Sequence, residues 1–176
     1  MTNKYIKFNK ELILMAILKT ANNKGKYFDE NSKNDVVNYI IDKNKTLNGY
    51  IGSKGFLTQN YAKEMKENSE KFGKSTGVQV RHFIIGFENY EVRDTEMVYS
   101  IGKRICDYLG NQFQTVFGVH EDTGQLHLHF AMNSISYIDG HRYYGTRKEF
   151  YDMKGHINNI LKTYDIEPVR YISNKN

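Results

Sequence analysis

Half of the six histidines of this chain fall inside ten residues, in the run His120-Glu-Asp-Thr-Gly-Gln-Leu-His127-Leu-His129. Neutral imidazole is a common ligand for divalent transition metals near pH 7. On a strand, residues two apart point the same way, so His127 and His129 share a face with Ala131 and Asn133. Glu121 to Gln125 reads as a hairpin connection, and pairing outward from Thr123 and Gly124 sets His120 opposite His127. Cross-strand partners lie on one face with Cβ atoms about 4.5–5.5 Å apart. The spacing therefore predicts three converging imidazoles and a divalent-metal site of His120, His127 and His129. Asp122, two residues beyond His120, is placed to orient a ligand through its free ring nitrogen. Nitrogen donors suit Mn2+ better than Mg2+, which prefers oxygen, with Mg2+ kept as the alternative cellular ion. Two other readings stay open: solvated histidines on an exposed sheet face, and a zinc-dependent hydrolase acting on a small molecule.

The elements that must hold this run are legible in outline. The stretch 12–21 is apolar enough for a buried strand, and 22–34 is a polar loop. Val36, Val37, Ile40 and Ile41 form one face of a short helix around Tyr39. Residues 43–56 carry three lysines and three glycines without clear periodicity and are read as a mobile loop. Thr58 is expected to cap a helix reaching Phe72. Residues 79–87 alternate as a strand, and Val98, Ile101, Ile105 and Leu109 recur at helical spacing between Asp94-Thr95 and Gly110. Thr146-x-x-Glu149 is a capping box that opens the last helix. The fold class expected is α+β: a central, mainly antiparallel sheet with helices packed on one face and the metal site on the other. The domain spans 15–168, between an extension over 1–14 and a polar tail over 169–176.

Composition sets outer limits. The 176 residues are 39% hydrophobic and 26% charged, enough for one domain with a core. The longest apolar stretch, Leu12 to Leu18, is far short of a membrane span, and no cleavable signal precedes it, so no membrane insertion and a cytoplasmic location are expected. A formal charge of +5 suits a polyanionic partner. Cys106 falls on the packed side of a helix and reads as a small hydrophobe. His82, His141 and His156 read as structural or surface groups.

Several segments resemble the relaxase/mobilization nuclease family, MobP-like members of the endonucleases named for a histidine-hydrophobe-histidine (HUH) motif. Met15 to Lys19 is similar to its opening strand, Asp35 to Thr46 to the segment with its nucleophilic tyrosine, Val80 to Phe87 to its middle strand, and His120 to Asn133 to its metal motif. The resemblance implies an HUH-type fold and a plasmid or integrative-element relaxase for conjugation or mobilization. It implies Tyr39 as the nucleophile that nicks one strand at an origin of transfer, leaving a 5′-phosphotyrosine and a free 3′-hydroxyl. A phenol with a pKa near 10 needs help to attack at neutral pH, which metal and Asp122 would give. The implied partners are single-stranded DNA, an accessory DNA-binding protein and a coupling protein. Lys45, Tyr50 and Lys54, with Phe56 beside them, are expected to cover the strand near Tyr39, and Asn133 to contact DNA.

Two alternatives accompany this reading. Tyr151-x-x-Lys154 resembles the motif of rolling-circle replication initiators, which would make Tyr151 the nucleophile. A DNA-binding regulator without catalysis would bind its sequence with no need of metal. As one more alternative for Tyr39 itself, a tyrosine in a helix can serve packing alone.

Overall fold

A computed structural model describes residues 16–20, 27–29, 31–87, 94–121 and 124–172. Within them the chain runs β1 (Ala16–Thr20), α1 (Ser32–Ile40), β2 (Thr46–Lys54), α2 (Tyr61–Lys71), β3 (Val80–Phe87), α3 (Thr95–Leu109), β4 (Thr115–His120), β5 (His127–Asn133), α4 (Arg147–Lys162) and β6 (Arg170–Ile172). The strands form one sheet in the order β2-β4-β5-β3-β1-β6, antiparallel except for β1 with β6. This is the α+β architecture expected. No helix among the described residues is long and apolar enough to cross a membrane.

Alternation sorts the two faces. Phe83, Ile85 and Phe87 of β3 look the same way as Leu128, Phe130 and Met132 of β5 and Phe117 and Val119 of β4, and α3 and α4 cover them. Phe87, Phe117, Leu128 and Phe130 are fully buried there, each worth about 1.5–3 kcal/mol of transfer free energy. α3 starts where Asp94 Oδ1 accepts the Met97 N–H at 3.1 Å, and α4 starts in the expected capping box of Thr146 and Glu149. The other face carries the histidines at one end and Val80, Val116 and Ala131 at the other. α1 and α2 pack on that apolar end, so the expectation that helices lie on one face only is corrected to helices on both. Three apolar residues on the histidine face need cover, and α1 supplies it.

Three more segments depart from expectation. Residues 43–56 are not a loop: β2 pairs antiparallel with β4, with a register shift between Thr46 and Ile51. Periodicity is lost because Gly52 stands where the Phe117 ring fills the space a side chain would take. Thr58 does not cap α2, whose N-cap is Asn60; the Thr58 hydroxyl and N–H instead donate to Glu64 Oε1, at 2.6 and 2.7 Å. The expected tail contributes β6, whose pairing with β1 follows from burial of Ile166 and Val169 just before it. Leu12 to Met15 lie outside the described residues.

Lys33 ties α1 to α2. Its buried ammonium donates to Met65 O at 2.8 Å and to Ser69 Oγ at 2.5 Å. Burial, then the nearby charge of Arg142, lowers its pKa to about 8, with Lys66 acting in the same direction and Glu70 against it. Between pH 8 and 10.5 the unfolded chain therefore holds a proton that the folded chain has released. Stability from this group rises with pH across that window, at up to about 1.4 kcal/mol per unit, and is constant below it. In urea titrations, the unfolding free energy of the natural chain should gain about 2 kcal/mol on Lys33→Met between pH 8 and pH 10. A difference independent of pH would mean that the amine reaches water in the folded state.

Candidate active site

The hairpin takes the register expected, with His120 opposite His127 and Gly118 opposite His129. Over this end of the sheet comes the last turn of α1. Val36, Val37 and Ile40 are buried on the sheet, and the helix brings Tyr39 beside them to the histidines. The Tyr39 ring centroid lies 5.3 Å from that of His129, 5.5 Å from His120 and 5.9 Å from His82.

The approach depends on a missing side chain. A Cβ on Gly118 would stand 2.6 Å from Ile40 O, closer than real contacts allow. With glycine there, the last carbonyl of α1, which has no partner within the helix, drops onto the sheet. It accepts from Thr46 Oγ1 at 2.6 Å and faces His120 Nε2 at 3.0 Å. Gly118→Ala should force the end of α1 outward, costing about 1–3 kcal/mol in stability. Displacing Tyr39 by about 1 Å should slow its chemistry about 100-fold while the protein still folds. Circular dichroism with a cleavage time course would check it, and an unchanged rate would mean that the helix end has room to give.

The same contacts fix protonation. A carbonyl only accepts, so Ile40 O sets the His120 proton on Nε2 and leaves Nδ1 as its lone-pair nitrogen. His129 Nδ1 and His82 Nε2 are 3.1 Å apart, and His82 Nδ1 is 3.5 Å from the Tyr27 hydroxyl. For His129 to present its Nε2 lone pair, Nδ1–H must donate to His82, whose own proton then sits on Nδ1 toward Tyr27. Burial, followed by the neighbouring His120, His82, His127 and Lys45, pushes the His129 pKa down to about 2, so its imidazole stays neutral. Neutral imidazoles with fixed tautomers are the form that ligates a metal. In kind, the donors fit a borderline divalent cation. The rings of His120 and His129 are stacked at 4.3 Å, and among the described residues no three such side chains already stand as a coordination shell.

The remaining predicted residues separate. Lys45 belongs with the site: its ammonium lies 4.1 Å from the Tyr39 ring centroid. Tyr50 and Lys54 do not, because they point to the opposite sheet face, where Tyr50 donates to Glu96 at 2.7 Å and Lys54 to Asn111 Oδ1 at 2.7 Å. Phe56 packs edge-on to Tyr61. Asn133 is on the histidine face but wholly buried, its amide donating to Met65 O and Gln114 Oε1. Tyr151 stands 54% exposed on α4, with the Arg147 guanidinium over its ring. Asp122 lies outside the described residues. Burial pushes the Cys106 thiol up to about 12, so it remains protonated. His141 pairs with Asp139 and His156 stacks on Tyr108, both away from the cluster.

His82 is what the sequence reading missed. Alternation alone places it with Val80 and Ile84, but only the β3–β5 register sets it beside His129, and some forty residues with a helix separate those strands.

Comparison with known proteins supplies the family. The model of the relaxase family, MobA/VirD2-like nuclease domain, matches residues 39–166 and so begins on Tyr39. Two proteins from Escherichia coli, each described as Protein TraI, are 38% and 35% identical to the chain over 63 residues. Each match covers 35% of this chain, but only 9% and 8% of those relatives. With a match over well more than half its length, the chain belongs to the relaxase family, in its MobA/VirD2-like nuclease domain.

Proposed function

We propose that this domain nicks one DNA strand at an origin of transfer by tyrosine transesterification, serving conjugative transfer or mobilization. The observation that carries the reading is the Tyr39 ring held 5.3–5.9 Å from three imidazoles, with Lys45 over its face. The Tyr39 Oη–phosphorus bond forms as the bond from phosphorus to the 3′-oxygen breaks. The phenol gives up a proton and the leaving oxygen gains one, yielding a 5′-phosphotyrosine and a 3′-hydroxyl. Because one phosphodiester replaces another, the step can run backward and rejoin the strand.

His120, through Nδ1, and His129, through Nε2, would hold a divalent cation together with His127. Bound there, the cation supplies positive charge against the oxygens of the scissile phosphate. His82 keeps the His129 lone pair on the nitrogen away from itself. Lys45 adds a cation where a phosphate approaching Tyr39 would pass. Asp122 is assigned by its sequence position to orient a histidine ligand, with acceptance of the phenolic proton as a second role. Imidazole donors favour Mn2+ over Mg2+. A relaxase in this sense acts with an accessory DNA-binding protein and a coupling protein.

Incubation with a single-stranded oligonucleotide spanning the candidate origin, with Mn2+ or with chelator, tests the reading on a denaturing gel. A metal-dependent covalent adduct is expected. Cleavage without an adduct would replace Tyr39 by a water nucleophile. Sequence-specific binding that needs no metal, with no cleavage on any origin, would make the protein a regulator.

A further inference from the structure

Beside His82 opens a cleft of about 450 Å3, lined by His82 but not by Tyr39 and within the size range of small-ligand sites. His82 is a wall of both spaces, so the cleft continues the surface of the catalytic cluster. Its lining is aromatic and cationic. Tyr27 and Tyr143 are buried in it, while Phe28 and Tyr171 stand 52% and 40% exposed around it. Single exposed aromatics are ordinary, but two gathered on one concavity mark a contact surface. Arg81 and Arg147 also line it. Arg81 is anchored by Nη2, which donates to Tyr144 O at 2.8 Å and Tyr143 O at 3.1 Å. Its Nε–H is buried with no acceptor among the described residues. A buried donor without an acceptor costs free energy that a ligand's oxygen or ring nitrogen would recover.

We propose that this cleft binds one nucleotide of the single DNA strand flanking the scissile phosphate, its base against the aromatic rings and its phosphate on Arg147. The inference rests on the relaxase reading of the neighbouring cluster and extends it: the strand would run across Tyr39, past His82 and into the cleft. Flat rings beside a guanidinium are the combination that binds single-stranded nucleic acid without duplex structure. A peptide would also find apolar surface here, but two arginines with no carboxylate among the described lining residues favour a phosphodiester, and the nearby Glu149 is engaged in the helix cap.

Fluorescence polarization with a labelled 20-nucleotide oligothymidine, in chelator so that the strand stays intact, provides the test. The natural chain, Phe28→Ser/Tyr171→Ser and Arg147→Glu would be compared, with circular dichroism to verify folding. Loss of one stacked base should weaken binding about tenfold or more in the double variant. Arg147→Glu should weaken it as well and make its salt dependence shallower. A thymine replaced by 5-iodouracil should crosslink to the peptide carrying Tyr27 and Phe28 or to the one carrying Tyr171. Affinity unchanged in both variants, with crosslinks only elsewhere, would overturn the cleft while leaving the relaxase reading intact. Failure of the natural chain to bind any single strand would overturn both.

Discussion

Tyr39→Phe is expected to abolish the covalent DNA adduct and to lower strand cleavage by about 10^4-fold or more, as removal of a nucleophile does. The substitution removes the hydroxyl and keeps the ring with the contacts that its faces and edges make. His129, His120 and His82 meet the ring, and Lys45 lies over its face. Stability should fall by no more than about 1.5 kcal/mol, the range of one hydrogen bond. Binding to single-stranded DNA should be nearly unchanged, since phosphate and base contacts persist. Tyr151→Phe should behave as the natural chain, because Tyr151 projects outward from α4, whose packed side lies on the other sheet face. The measurement is a denaturing gel of the labelled oligonucleotide with sequencing of the modified peptide. An adduct that survives Tyr39→Phe and disappears in Tyr151→Phe would move the protein to the replication-initiator mechanism.

How far the sequence was legible depended on how local each signal was. The hairpin register follows from the six residues between His120 and His127 and the period of a strand, and it placed His120 opposite His127 correctly. The capping box at Thr146 and the Asp94 cap are likewise decided within one helical turn. Long-range pairing was not legible. His82 reaches His129 only through β3–β5 register, and α1 reaches the sheet only because Gly118 leaves room for Ile40 O. Nothing in the neighbourhood of Gly118 in the sequence announces the helix end at Ile40. β2 was unreadable for a related reason: its Gly52 position is filled by a phenylalanine from the next strand, so its own alternation is blank there. Tyr50 and Lys54 were drawn toward DNA by composition, whereas pairing with β4 turns them onto α3. Asn133 shows the same weakness at finer scale. Its face was right, but α2 covers that end of the sheet and takes up its amide.

The second large effect is expected from His129→Ala. Natural protein titrated with Mn2+ should show a calorimetric binding isotherm and a rise in melting temperature, because a ligand that binds only the folded state stabilises it. The variant should lose both, with an affinity loss of at least about 100-fold, and should form no adduct. His82→Ala should be milder, at about 10–100-fold in affinity, because it removes the partner of His129 Nδ1 and keeps all three candidate ligands. That gradation separates orientation from ligation. If both variants bound Mn2+ as the natural chain does, the cation would sit elsewhere, and the histidine cluster would have to be explained as packing around Tyr39. That explanation has its own consequence. Three imidazoles gathered around that of His129, itself pushed to a pKa of about 2, are a poor choice for a core when aliphatic side chains would fill the same space. Apolar replacement of His129 would then stabilise the metal-free protein with no loss of cleavage. A binding role predicts that cleavage is lost whatever happens to stability, and that difference decides between them.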